Sequence, residues 1–346
     1  TTEIYTLSLH DALPIFSELA FSSDGAWLLS SSEDRTVRLR RGTDGFTVQT
    51  LQAHDDMVRS LAIAADTGAF FTAGADGTVR RWELVADTPI RELGGPLHED
   101  AAGEVDRLVF TPDGRNLITG ELDGLIRSWD LSSGRWRELG RHAELMDLAL
   151  SPTGDRLATA SSDGTVKLWT AGPAWRTTRS LPGHGQGAMS AVFSPDGSLL
   201  ATGAGDGVVR VWPTQGDGAA RELRGHTDMV WGLAFSPDGR RLASASHDGA
   251  VRIWELDSGA CVRILLADAK GVTGLAWSPD GLTLPPRART GPSASGTPAS
   301  GGRSGSCTAT GCGSPTSCSP PTAACCSRPA STGPPGSGTP ARVRRS

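Results

Sequence analysis

Residues 236–256 read SPDGRRLASASHDGAVRIWEL. A tight-turn signal (SPDG) leads into a short alternating run, a second turn (HDG) leads into another, and Trp254 closes the phrase six residues after Asp248. Alternation of apolar and polar residues punctuated by Gly and Asp predicts β-hairpins. The phrase recurs along the chain. The pairs Asp76/Trp82, Asp123/Trp129, Asp163/Trp169 and Asp206/Trp212 keep the same offset, and a degenerate first copy has Asp34 with Arg40 in the tryptophan position. Successive aspartates from Asp34 to Asp248 are 42, 47, 40, 43 and 42 residues apart. SPDG-like turns stand ahead of them, most clearly at 111–114, 194–197, 236–239 and 278–281. Such a period identifies a repeat protein that grows by adding units to one continuous core, so length alone does not set its domain count.

Four short strands in each unit, with these turns and this tryptophan, resemble the WD-repeat family over residues 17–284. The resemblance implies an all-β propeller of four-stranded blades. Six complete blades are expected at 18–57, 58–100, 105–142, 145–184, 189–226 and 230–267, and VTGLAWS (272–278) begins a seventh. It also implies a buried polar quartet in each unit. The quartets are His54, Thr72, Asp76, Trp82; His98, Thr119, Asp123, Trp129; His142, Thr159, Asp163, Trp169; His184, Thr202, Asp206, Trp212; and His226, Ser244, Asp248, Trp254. A carboxylate can accept from its own turn and from imidazole, imidazole can pair with the hydroxyl, and the hydroxyl can accept from the indole N–H.

Five histidines with five aspartates also suggest metal sites or catalytic triads. Metal ligands must converge within about 2.2 Å of one ion, whereas groups in successive blades repeat around a ring. These residues are therefore read as structural, with no metal, no cofactor and no catalytic role. His247, which precedes a turn aspartate, is expected to be exposed.

The two ends read differently. Residues 285–346 use eight residue types, carry seven arginines and no acid, and leave −12 of the net −5 charge on the rest of the chain. Shifting the reading frame after Leu284 lets LPPRARTGPSASGT become ATAS-x-DG-x-VR-x-WD, the same repeat phrase. Loss of one G from CTG-GCC-ACC-GCG produces Leu-Pro-Pro-Arg. The segment is thus expected to be a disordered, frameshifted continuation of the repeats, and its cysteines 307, 312, 318, 325 and 326 are not expected to form a zinc site. Residues 1–15, TTEIYTLSLHDALPI, resemble the translation of a sequencing-adapter oligonucleotide, so 1–16 is set apart as artefactual and His10 as incidental. With both ends altered, an open or poorly closed ring is expected. The G+C-rich codons that the tail implies suggest a bacterial source.

The acidic body argues against nucleic acid, whose phosphates require Lys and Arg. No run of about 18 apolar residues is present to span a membrane. Cys261 is the one cysteine ahead of the tail, which suits a reducing, cytoplasmic setting.

As a WD-repeat resemblance implies, the expected function is a non-catalytic scaffold that binds proteins or peptides on the face formed by the loops before each first strand and the Asp turns. Met57, Arg59, Glu104, Asp106, Met146, Met189, Met229, Trp231 and His247 fall there, including all four methionines. Flexible thioethers beside Trp and Arg suit an adaptable contact surface, although Met can equally fill gaps at blade ends. A propeller enzyme, such as a lactonase, phytase or quinoprotein, would need acid or base groups converging on the channel. The first-strand segments LALS, AVFS and LAFS show none. A third reading is a sensor or regulatory module of a larger signalling chain. No phosphate-binding loop accompanies it, and GAGDG (203–207) is an inter-strand turn rather than a dinucleotide fingerprint.

Overall fold

The computed structural model describes residues 16–63, 69–83, 91–92, 104–172, 174–266, 271–282, 284 and 286–288. All lie in the compact unit 1–294; His10, His98 and the tail cysteines fall outside the described residues.

The SPDG phrase builds its turn from its own side chains. Asp238 accepts from Ser236 Oγ at 2.5 Å and from the Arg240 amide at 3.1 Å, while Ser236 Oγ accepts from the Arg241 amide at 2.9 Å. Gly239 completes it at φ 69°, a conformation that a Cβ would strain. The same arrangement recurs at Ser22/Asp24, Thr111/Asp113 and Ser194/Asp196.

Each pair of turns folds one repeat into an antiparallel sheet of consecutive strands. The first holds β1 (Phe16–Phe21), β2 (Trp27–Ser32), β3 (Thr36–Arg41) and β4 (Thr47–Gln52). The second holds β5 (Val58–Ile63), β6 (Ala69–Gly74), β7 (Val79–Glu83) and β8 (Arg91–Glu92). The third comprises β9 (Val105–Phe110), β10 (Asn116–Glu121), β11 (Leu125–Asp130) and β12 (Trp136–Arg141). The fourth comprises β13 (Leu145–Leu150), β14 (Arg156–Ser161), β15 (Val166–Thr170) and β16 (Arg176–Leu181). In the fifth are β17 (Ala188–Phe193), β18 (Leu199–Ala204), β19 (Val209–Pro213) and β20 (Arg221–Leu223). In the sixth are β21 (Val230–Phe235), β22 (Arg241–Ser246), β23 (Ala250–Glu255) and β24 (Cys261–Leu266). A seventh sheet has two strands among the described residues, β25 (Val272–Leu275) and β26 (Pro286–Ala288).

Neighbouring sheets meet face to face as the blades of a propeller. Each of the six seams between consecutive blades buries one tryptophan: Trp82, Trp129, Trp169, Trp212, Trp254 and Trp277 in turn. The tryptophans sit among Val, Leu, Ile and Phe side chains that each contribute about 1.5–3 kcal/mol on burial.

The ring is not an open arc. The inner strands β1, β5, β9, β13, β17, β21 and β25 follow one another around the axis, and β25 lies beside β1. A repeating contact marks the closure. A Cβ on Gly239 would lie 3.8 Å from Pro195 of the preceding blade, and one on Gly281 would lie 3.5 Å from Pro237. At the closing seam, a Cβ on Gly25 would lie 3.4 Å from Pro279. Blades converge at the axis and splay outward, so inner strands can close a ring whose seventh blade has two strands among the described residues.

A second correction concerns the start of the tail. Pro286–Ala288 pair with β25 in the place of a second strand, with Leu275 opposite Pro286, and Leu284 is fully buried against the sixth blade. Backbone pairing does not read side chains, so three residues of unusual composition can still extend the sheet.

Candidate functional site

The polar quartets tie the strands of each blade to one another. In all five units the indole N–H donates to the hydroxyl: Trp82 to Thr72, Trp129 to Thr119, Trp169 to Thr159, Trp212 to Thr202 and Trp254 to Ser244, at 2.8–3.0 Å. The other half of the chain differs between units. His54 and His226 place Nδ1 3.0 and 2.9 Å from Asp76 and Asp248, and Nε2 2.7 Å from Thr72 and Ser244. Their Nδ1–H therefore donates to carboxylate, and Nε2 accepts from the hydroxyl.

His142 has its ring the other way round. Nδ1 meets Thr159 at 2.7 Å and Nε2 meets Thr165 at 2.9 Å. Thr165 spends its proton on Asp163, so the aspartate is reached through a hydroxyl rather than directly. His184 departs further: Arg210 Nη1 donates to Nδ1, and Asp206 binds Arg210 at 2.8 Å instead of the ring. Direct Asp–imidazole contact, expected in every unit, holds in two of the four units whose histidine is described. Arg210, at the position of Arg38, Arg80 and Arg252 in other units, intervenes in one and Thr165 in another. For Asp123, the described partners include the Leu125 amide and Arg141; His98 lies outside the described residues.

Burial disfavours the imidazolium form, so His54 and His226 are lowered despite their aspartates. His142 and His184 fall to about 4, pushed first by burial and then by the charges of Lys167 and Arg210. Burial opposes ionisation of Asp76 and Asp248 as well. Together the Thr78 hydroxyl, the His54 ring and the Thr78 and Asp55 amides outweigh it at Asp76, as the His226 ring and the Ala250 and Thr227 amides do at Asp248, and both are held below the usual range.

The inner strands share one recurring irregularity. Every inner strand carries a β-bulge near its start, seen as a register break between Val58 and Ser60, Leu145 and Asp147, Ala188 and Ser190, and Val230 and Gly232. A bulge re-aims the extra side chain. The bulged residues are Arg59, Asp106, Met146, Met189 and Trp231, joined by Ser17 and Thr273. Met57 and Met229 precede two of them, and their carbonyls accept from the turn amides of Ala75 and His247. Met57, Arg59, Met146, Met189, Met229, Trp231 and His247 are all half-buried. The structure brings Trp231 and His247 together as a stacked pair, ring centroids 5.5 Å apart and 29° between planes. Arg59 donates to Glu104 at 2.9 Å and lies 4.0 Å from Asp106. Each methionine stands on its own blade. Around them Asp55, Asp56, Glu144 and Asp228 are exposed.

The inner ring also holds charges that the segments LALS, AVFS and LAFS conceal. Glu18 accepts from Ser60 Oγ at 2.6 Å and from the Leu61 amide at 2.9 Å, across the seam between the first two blades. Ser60 Oγ accepts in turn from the Leu108 amide of the third blade. Arg107 Nε donates to Asp147 at 3.2 Å, and Asp147 accepts from the Ala191 amide at 2.9 Å. One polar belt thus ties five consecutive inner strands. Burial raises Glu18 and Asp147, against the pull of Arg107; it also opposes the charge on Arg107, which Asp106, Asp147 and Glu18 nevertheless hold above its ordinary value. Glu18, Ser60, Arg107, Asp147, Ser190, Gly232 and Gly274 occupy equivalent positions, one residue before the quoted segments. Aligning the repeats one position earlier exposes the three ionisable members among serines and glycines. Among the described residues no group of three or more His, Cys, Asp or Glu is placed to hold a metal ion.

Comparison with known proteins agrees with this architecture. The family described as WD domain, G-beta repeat matches residues 1–40, 45–83, 88–130, 136–170, 175–213 and 219–255. The chain is similar to an uncharacterized WD repeat-containing protein of Synechocystis sp., 38% identical over 108 residues, which are 31% of this chain and 29% of that protein. It is also similar to protein groucho of Drosophila melanogaster, 40% identical over 76 residues, 22% of this chain and 10% of that one. The chain thus covers less than a third of either relative. The matched repeats cover well over half of the chain, which belongs to the WD-repeat family.

Proposed function

We propose that this chain is a non-catalytic interaction module that binds protein or peptide partners at the channel mouth. What supports the reading is the shared bulge, which sets Arg59, Met146, Met189 and Trp231 at equivalent positions near the starts of four inner strands. Large, adaptable apolar groups around a Trp and an Arg are the composition of a contact hot spot. The exposed Asp55, Asp56, Glu144 and Asp228 favour partners that present Lys or Arg, an attraction that weakens with salt. The charged belt below the mouth supports the non-catalytic side of the reading. Its carboxylates spend their acceptor capacity on neighbouring backbone amides, Ser60 and Arg107, as inter-blade ties.

Selection of displayed random peptides on the immobilised chain, followed by titration of the winners, tests the proposal. Winners should be enriched in Lys or Arg and lose at least about tenfold in affinity to the Trp231→Ala/Met229→Ala protein, the loss of one hot-spot residue or more. Winners that bind both proteins equally would place the contact surface elsewhere.

A further inference from the structure

The outer strand of the sixth blade differs from the outer strands of the others. Five of the six outer strands, β4, β12, β16, β20 and β24, each carry one leucine that is buried or half-buried: Leu51, Leu139, Leu181, Leu223 and Leu265. Just before that leucine the other blades carry Thr50, Glu138, Ser180 and Glu222; β24 carries Ile264. Just after it, Gln52, Pro182 and Arg224 guard three edges where β24 has Leu266. Ile264 and Leu266, 49% and 82% exposed, alternate along β24 and share one face, and Val262, 51% exposed, is the extra residue at a register break just before them. Their neighbours on β23 across the register, Arg252 and Ala250, lie on that face too. Beyond β24 no further strand of the sheet follows among the described residues, which makes β24 the described edge of the sheet. Proteins normally blunt such an edge with charge or proline; here Arg263 is the sole charge.

We propose that β24 is a self-association edge, where a second copy of this chain pairs antiparallel about a two-fold axis through Ile264. The sequence of the strand is self-complementary in that register. Ile264 faces its own copy, and Leu266 meets Val262 of the second copy, so apolar side chains meet along the whole pairing. Arg263 then lies opposite Leu265 of the second copy. Moving the axis to residue 263 would set two arginines against each other, which disfavours that register. An isologous contact of this kind closes at two copies. A single six-residue strand buries far less than the ~800 Å² per partner of a stable interface, so the dimer is weak and concentration-dependent.

Sedimentation velocity on the full chain, with reductant present because Cys261 is exposed and free, reads this directly. Between about 1 and about 300 µM the weight-average mass should climb from one copy, 36.0 kDa, toward two. Ile264→Lys and, separately, Leu266→Glu should each hold it at one copy throughout. Both sites are exposed, and an unchanged near-ultraviolet tryptophan signal checks that each variant is folded. Val48→Lys, at an exposed valine on the outer strand of the first blade, should dimerise like the parent. A parent that stays at one copy, folded β24 variants that dimerise normally, loss of the dimer in Val48→Lys, or growth beyond two copies would each overturn the proposal.

Discussion

Arg210 Nη1 donates to His184 Nδ1 at 2.8 Å, in a unit where repeat symmetry would put an aspartate against that nitrogen. A guanidinium has no acceptor to offer. His184 must therefore carry its proton on Nε2 and give it to Thr202, whereas His54 and His226 carry theirs on Nδ1 and give it to Asp76 and Asp248. Imidazole nitrogen shifts in ¹⁵N-labelled protein near neutral pH should show Nε2–H for His184 and Nδ1–H for the other two. A common tautomer across all three would refute the assignment.

Depressed histidines make the fold acid-labile. His142 and His184 bind a proton near pH 4 when folded and near 6.5 in the unfolded chain. Between those values the unfolded state holds more protons, so stability rises with pH. The stabilisation is complete above about 6.5 and is lost as pH falls toward 4; His54 and His226 add to it in the same direction. The urea midpoint should therefore decline steadily from pH 7 to pH 4.5, and His184→Gln should flatten the decline. A level profile over that range would contradict the burial of neutral imidazoles.

Each quartet pivots on its hydroxyl. Thr72 is fully buried and serves both Trp82 and His54. Thr72→Val keeps the shape and strands an indole N–H and an imidazole nitrogen, at about 2–4 kcal/mol together. Thr72→Ser keeps the hydroxyl and should cost about 1 kcal/mol, the worth of one buried methyl. Equal losses in the two variants, measured by urea denaturation, would show that the hydroxyl does not carry the linkage.

Arg107 is the cation of the inner belt. Arg107→Met leaves Asp106, Asp147 and Glu18 facing one another without it and should destabilise by about 3–5 kcal/mol, as removal of one partner of a buried pair does. Adding Asp147→Leu should recover part of that loss, because it removes one uncompensated charge. A loss below about 1 kcal/mol for the single variant would mean that water screens the belt as it does a surface pair.

Periodicity made the blades legible. The Asp–Trp offset located each hairpin, and the bulged residues lie near the start of each inner strand that follows. Other features depend on contacts between repeats and escape a repeat-by-repeat reading. Arg210 displaces an aspartate that sits in the right place in sequence, because a long side chain four residues after Asp206 can reach the same ring nitrogen. Glu18, Arg107 and Asp147 form their belt across blades, and no single repeat contains more than one of them. Closure depends on β1 and β25, which are more than 250 residues apart. Neither terminal strand reveals its partner locally. The odd composition after Leu284 likewise conceals a strand, since Pro286–Ala288 take part through backbone.

Ring closure is tested most directly by amide hydrogen exchange with peptide-level mass spectrometry on the full chain. Strands β1 and β25 are central to a closed inner ring, so their amides should exchange as slowly as those of β13 and β17 on the opposite side. Exchange of β1 and β25 at the rate of exposed loops, with β13 and β17 still protected, would mean that the seven inner strands form an arc.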